Sequence, residues 1–249
     1  MERHEYERMH ALEERLWWYR GLHGLIADHV ASMAGGSFRP LLDAGCGTGG
    51  LLAALARRGV GRSRLGLEYD AQAARLAAAR GDAAIVVGSV TALPFGDDAL
   101  GAMVSADVLP HRLVEPDVAL KEAHRCLETG GILILNLPAY RWMASAHDRH
   151  VHNVRRFTRR QAAALAQAAG FRVRRATYWN CILFPLMVAR RVLTRWSTGG
   201  SDVRPFPAPI NWLFGAIVGV ERRLIGWGVG LPFGGSILLV VQKGKAEKR

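Results

Sequence analysis

The chain has 249 residues, half of them hydrophobic and 22% charged, enough for one substantial core with elaborations and too apolar for a disordered chain. Its formal charge is +12, but lysine occurs only at Lys121, Lys243, Lys245 and Lys248, and arginines are scattered as pairs such as Arg57-Arg58 and Arg222-Arg223. That dispersal argues against a nucleic-acid partner, which would call for one basic stripe.

In chain order, the first forty residues read as helical, with Met9, Leu12, Leu16 and Tyr19 on one face and a second segment from Leu22 to Met33 before Gly35-Gly36. Short apolar runs then alternate with helical stretches. Strands are predicted at Pro40 to Ala44, Arg64 to Glu68, Ala84 to Val87, Gly101 to Ser105 and Ile132 to Asn136, and helices at Leu51 to Arg58, Ala71 to Ala79 and Pro116 to Leu127. This alternation predicts an α/β fold with a doubly wound, mostly parallel sheet. A polar, histidine-rich loop from Tyr140 to Arg156 leads to a helix from Arg159 to Ala169, stopped by Gly170, and to strands at Phe171 to Tyr178 and Ser236 to Gln242.

The stretch between those last two strands is too long for an unstructured connection. Apolar helical patterns run from Cys181 to Trp196 and from Ile210 to Val229, on either side of a Gly-, Ser- and Pro-rich linker, Ser197 to Pro209. Arg190-Arg191 and Glu221-Arg222-Arg223 interrupt them, so neither is read as a transmembrane span. A helical insertion capping a site is expected, with peripheral membrane contact as the lesser alternative and homo-oligomer formation left open. Three separated cysteines, Cys46, Cys126 and Cys181, lack metal-ligand spacing, and the charged N-terminus lacks a signal-peptide core, so a cytoplasmic location is expected.

The strand PLLDA runs into GCGTGG and then a helix, which puts a loop at the carboxyl end of the first strand, where open α/β sheets bind ligands. Gly45, Gly47 and Gly49 permit a tight turn and close backbone approach. The run fits neither G-x-G-x-x-G nor a P-loop. Glu68 closes the second strand roughly twenty residues on, where an acid can accept hydrogen bonds from both ribose hydroxyls, and Tyr69 can flank an adenine. GSVTALPF, Gly88 to Phe95, follows the third strand and VSADVLPH, Val104 to His111, the fourth.

In this order the four elements resemble the class I S-adenosylmethionine (SAM)-dependent methyltransferases, over about Arg39 to Tyr178, and LDAGCGTG matches that family's first motif. The resemblance implies a seven-stranded sheet whose last strand, at Ser236 to Gln242, is antiparallel. It implies SAM as cofactor, with Asp43 and the loop residues Gly45, Cys46, Gly47 and Gly49 at the methionine portion and Glu68 at the ribose. The adenine position, commonly Asp in the family, is Ser89 here, which leaves that contact to Ser89, the backbone at Val90, and Tyr69. Asp107 would approach the charged end of SAM. From Trp17-Trp18-Tyr19-Arg20, Tyr19 or Arg20 would reach its carboxylate as part of a lid, although helix packing explains that cluster equally well. The histidine-rich loop and Pro232 to Ser236 resemble a bacterial subset, which points to a small-molecule type. The implied organisation is a lid over residues 1–38, a Rossmann-like core over 39–178, a cap over 179–234, and the last strand with a basic tail over 235–249.

Methyl transfer from a sulfonium is an in-line displacement, for which alignment and exclusion of water supply much of the rate. A base is needed only for some acceptors. His147, His150 and His152 in the loop, and His111 after the fourth strand, are the candidate acid–base groups. Arg155 and Arg156 can bind an anionic acceptor. Hydrogen bonding that merely orders the loop accounts for each histidine individually, and a metal site there is a minor alternative. The expected activity is methyl transfer to a hydrophobic or anionic small molecule, with a lipid-linked acceptor as a variant. A non-methylating SAM-using enzyme such as a cyclase is the alternative, followed by an RNA or DNA methyltransferase, against which no N/D-P-P-Y motif follows the fourth strand. A non-catalytic SAM-binding protein is the last.

Overall fold

Strand β1, Leu41–Ala44, is buried at every position, and six more strands extend the sheet from it on both sides. They are β2 (Arg64–Glu68), β3 (Ala84–Val87), β4 (Leu100–Ala106), β5 (Leu127–Pro138), β6 (Phe171–Trp179) and β7 (Ser236–Lys243), in the order β3-β2-β1-β4-β5-β7-β6. The protein is described by a computed structural model over residues 3–33, 40–193 and 206–244.

Strands β1 to β5 pair in parallel, while β7 lies antiparallel between β5 and β6. A sheet whose central strands read LLDA, GAMVSA and ILILNLP must be covered on both faces. Helices α2 (Trp17–Met33), α3 (Gly50–Arg57) and α9 (Ala208–Gly226) cover one face, where Leu25, Ile26, Leu55, Val218 and Ile225 pack on Leu41, Val104 and Ile134. On the other face α5 (Pro116–Cys126) and α7 (Arg159–Ala168) bring Leu120, Ala123, Ala162 and Ala166 to Met103, Leu133 and Leu239. Local chemistry starts these helices where the sequence indicates. Asp70 accepts from the N–H groups of Gln72 and Ala73 at the head of α4 (Ala71–Ala79), and Thr158 with Gln161 forms a reciprocal cap on α7.

Strands β2 and β3 extend to one side of β1 and β4 and β5 to the other, so the order in which strands are added reverses between β1 and β4. The carboxyl ends of these two strands therefore border the crevice in which such sheets bind ligands.

Several boundaries differ from the sequence-based expectation. The first helical region breaks at residues 13–16, between α1 (Arg3–Leu12) and α2, where the expectation put the join after Tyr19. The break turns Glu13 into the interior, where it finds partners on another element. Strand β5 begins five residues early, because Leu127 pairs with Leu100 before a register shift. The loop after β5 holds a short 3₁₀ turn, Arg141–Met143, and a one-turn α6, Ala146–His150. The insertion forms α8 (Phe184–Leu193) and α9, with most of the linker expected between them outside the described residues. No described helix is long and apolar enough to cross a membrane.

Candidate functional site

A cleft of about 910 Å³ opens over the crevice, and its walls come from the glycine loop, the ends of β2 and β4, α1, α2 and the insertion. The loop is shaped for close approach. Gly45 and Gly47 have φ of +87° and +55°, a region that favours glycine. A Cβ on Gly45 would collide with the Val108 side chain, and one on Gly47 would come within 2.6 Å of Met9 Cε. Gly49 is placed differently: it packs against the backbone of Ala77 and lies outside the cleft lining.

Glu68 is held by the loop it faces. Its Oε2 accepts from the Gly47 N–H at 2.8 Å and its Oε1 from the Asp70 N–H at 3.0 Å. Each carboxylate oxygen keeps a second lone pair for a ligand hydroxyl. Burial raises its pKa against these hydrogen bonds. Asp43, at the end of β1, is pushed up to about 8 by burial and by the nearby Glu68 and Glu13. Asp107, just past β4 with φ +57°, is raised to about 7 by burial, although the Asn136 amide donates to it at 2.9 Å. The other end of that amide accepts from the Trp179 indole at 2.8 Å, and Trp18 stacks on Trp179 at 6.2 Å. Helix α2 is thereby tied to Asp107 through a buried polar chain.

Two further residues line the same end and escaped the sequence reading: Tyr6 and Glu13. Glu13 accepts from Thr48 Oγ1 at 2.7 Å, from the Gly50 N–H at 3.2 Å and from the Arg80 guanidinium. It thus caps α3, whose own N-cap, Gly49, has no side chain to do so. Burial outweighs these bonds and raises its pKa. In the sequence, Tyr6 and Glu13 share a helical spacing with Met9 and Leu16, the only local sign of their placement.

The remaining expected cofactor residues divide. Tyr19, Cys46, Tyr69, Ser89, Val90 and Asp107 line the cleft, whereas Arg20 is exposed outside the lining. Ser89 Oγ is engaged with Thr91 Oγ1 at 2.7 Å. Burial raises the Cys46 thiol, which makes it a poor nucleophile.

The histidines also divide. His111 and His152 line the cleft with ring centroids 5.8 Å apart. His111 Nδ1 accepts from the Leu113 N–H at 3.2 Å, so its Nε2 carries the proton and donates. Burial lowers its pKa to about 4, with His152 contributing. His150 lies outside the lining, and the His147 side chain lies outside the described residues. The arginines expected to bind an acceptor have structural partners. Arg155 donates to the carbonyls of His111 and Val114, and Arg156 grips the buried Asp148 with Nε and Nη2 at 3.0–3.2 Å. Asp148 in turn accepts from the Ser145 N–H at 2.7 Å. Among the described residues no three His, Cys, Asp or Glu side chains converge to hold a metal ion.

The cleft lining carries both signs of charge: Glu13, Asp43 and Glu68 lie near one another, Asp107 sits by Asp148 and Arg156, and Arg112, Arg190 and Arg191 join the lining with Met187 and Phe206 of the insertion. Residues 42–135 match a family model described as a methyltransferase domain. No curated protein matches the chain. Solved structures are similar in fold. One from the complex of the Haloferax volcanii Trm112 methyltransferase activator with a methyltransferase is 20% identical, with a TM-score of 0.65 over 98% of this chain and 96% of that one. The [4+2]-cyclase SpnF is 21% identical, with a TM-score of 0.57 over 88% and 80%. Geranyl diphosphate C-methyltransferase from Streptomyces coelicolor A3(2), in complex with Mg²⁺, geranyl diphosphate and S-adenosyl-L-homocysteine (SAH), is 18% identical, with a TM-score of 0.57 over 88% and 77%.

Proposed function

With residues 42–135 matching a methyltransferase-domain model on a fold shared with methyltransferases, we propose that this protein is a class I SAM-dependent methyltransferase that transfers the methyl group of SAM to an anionic, partly hydrophobic small molecule. The observation that carries the proposal is the acidic group Glu13, Asp43 and Glu68 beside the glycine loop, in a cleft that also takes Met187, Arg190, Arg191 and Phe206 from the insertion. When bound, SAM supplies an electrophilic methyl group on a positively charged sulfur. The chain's own residues fit that cation: the glycine loop admits a ligand against its backbone, Glu68 offers lone pairs to ribose hydroxyls, and Asp43 and Asp107 become better anions beside positive charge. Tyr69, Ser89 and Val90 flank the adenine end in this reading, and Tyr19 the methionine end.

On the acceptor side, His111 donates from Nε2 to an anionic or carbonyl group, while His152 is the candidate base for an acceptor that must lose a proton. In this reading residues 1–38 act as the lid, 39–178 as the cofactor core and 179–234 as the cap, completed by 235–249. A cytoplasmic location is part of the proposal and agrees with the free thiols of Cys46, Cys126 and Cys181. The geranyl diphosphate enzyme, whose substrate is anionic and apolar at once, supports an acceptor of this kind.

A second reading is favoured by the likeness to a [4+2]-cyclase: the fold can host a reaction that is not methyl transfer. Product analysis separates the two. Methyl transfer converts SAM to SAH in equal amount with methylated acceptor; an acceptor that rearranges while SAM survives intact would overturn the proposal.

A further inference from the structure

Helix α9 is apolar on both sides. Its inner side packs on α2 through Val218 and Ile225. Its outer side presents Leu213, Ala216, Val220, Arg223 and Trp227 at spacings of three and four, all exposed. Trp227 is 78% exposed and Trp212 73%. An outer helix face on a water-surrounded protein is normally polar. The segment leading through α8 repeats the pattern with Ile182, Leu186, Ala189 and Leu193 exposed.

A hydrogen bond links the two segments. The Ile182 N–H donates to Glu221 Oε1 at 2.6 Å, which sets the start of the α8 segment against α9 beside Val220. The buried Phe184 ring lies 6.0 Å from Trp142 and 5.8 Å from Phe233, both exposed. The charge on this surface has one sign. The only acidic residue in the two helices is Glu221, 1% exposed and turned inward, whereas Arg190 and Arg223 are exposed.

We propose that this face of the insertion seats on an anionic lipid bilayer, with Trp212 and Trp227 at headgroup depth and the arginines against lipid phosphates. Exposed tryptophans beside arginines and no exposed acid suit that interface. A second copy of the chain suits it less, because pairing like faces would oppose Arg190 and Arg223 to their equivalents in a chain of formal charge +12. Met187, Arg190 and Arg191 of α8 also line the cleft, so the seated helix borders the site. Resting on the methyl-transfer reading, this implies that the acceptor is an amphiphile presented from the membrane.

The test is flotation of the full chain with phosphatidylcholine vesicles, with and without about 30% phosphatidylglycerol, with SAH binding measured on the same samples. The protein is expected to float with the anionic vesicles and to be released by high salt. The exposed-site double variant Trp212→Ser/Trp227→Ser should reduce the bound fraction roughly tenfold while keeping its Tm and SAH affinity. Wild-type protein that stays with the soluble fraction while binding SAH would overturn the docking surface and leave the transferase reading standing. So would a dimer that the double variant dissociates and that ignores vesicles. Loss of SAH binding in the wild type would instead remove the transferase reading and leave the flotation result to stand on its own.

Discussion

Glu13 and Thr48 meet side chain to side chain at 2.7 Å in the interior, across 35 residues of sequence. The same carboxylate accepts from the first N–H of α3 and from Arg80. One acid thus fastens the turn between α1 and α2 to the glycine loop, and the N-terminal helices stay where they form one wall of the cleft. Glu13→Ala leaves the Thr48 hydroxyl and the Gly50 N–H without their acceptor, whereas Arg80 keeps Glu14 and the Thr48 carbonyl. A loss of about 3 kcal/mol in stability is expected, together with weaker SAM binding, read by thermal unfolding and calorimetry. Unchanged SAM affinity would show that the latch is structural only.

SAM affinity should rise with pH. A cation is held better by ionised Asp43 and Asp107, whose pKa values sit at about 8 and about 7 in the free protein. For unliganded stability the sign is reversed: both groups ordinarily titrate near 3.8, so the stability linked to their raised values is fully present below that pH and is lost as pH rises through 7 and 8. The gain in Tm on adding SAM should therefore grow across that window, and Asp43→Asn should remove its upper part. A gain independent of pH contradicts this electrostatic account.

The loop after β5 should depend on Asp148 more than on its histidines. Asp148→Ala strands the Arg156 guanidinium and the Ser145 N–H, with an expected cost of about 3–5 kcal/mol; with Asp148 in place, Arg156→Lys should also destabilise the loop, since an ammonium cannot reproduce the fork. Turnover in His150→Ala should stay within roughly twofold of wild type, because that side chain lies outside the cleft lining. Thermal unfolding and initial rates decide both points.

His152 and His111 should separate kinetically. For an acceptor that must be deprotonated, His152→Ala should lower kcat about a hundredfold or more, while His111→Ala should act mainly on KM, through loss of a donor to the acceptor. A fall in kcat confined to His111→Ala would exchange these roles.

What the sequence made legible was whatever the backbone demands locally. The positive φ at Gly45 and Gly47 requires glycine, Glu68 ends a strand at a fixed distance, and Thr158 with Gln161 marks a helix start, so each could be read from neighbours in the chain. Alternation of strands and helices likewise indicated a mostly parallel sheet, and the family resemblance its antiparallel last strand, β7. Partners distant in sequence were not legible. Nothing local says that Glu13 reaches Thr48, that Asn136 joins Asp107 to Trp179, or that Arg156 pairs with Asp148 at the cleft. For the histidine cluster, close spacing in a loop does not fix which rings turn to the cleft: His152 lines it, and His150 lies outside the lining.

The central claim is that the acidic end of the cleft holds SAM, and calorimetric titration of SAM into wild-type protein and Glu68→Ala tests it most directly. The account predicts one SAM bound per chain and affinity lowered about 10- to 100-fold in the variant, from the loss of hydrogen bonds to a charged carboxylate. No saturable binding to the wild type, or equal affinity in the two proteins, would contradict it.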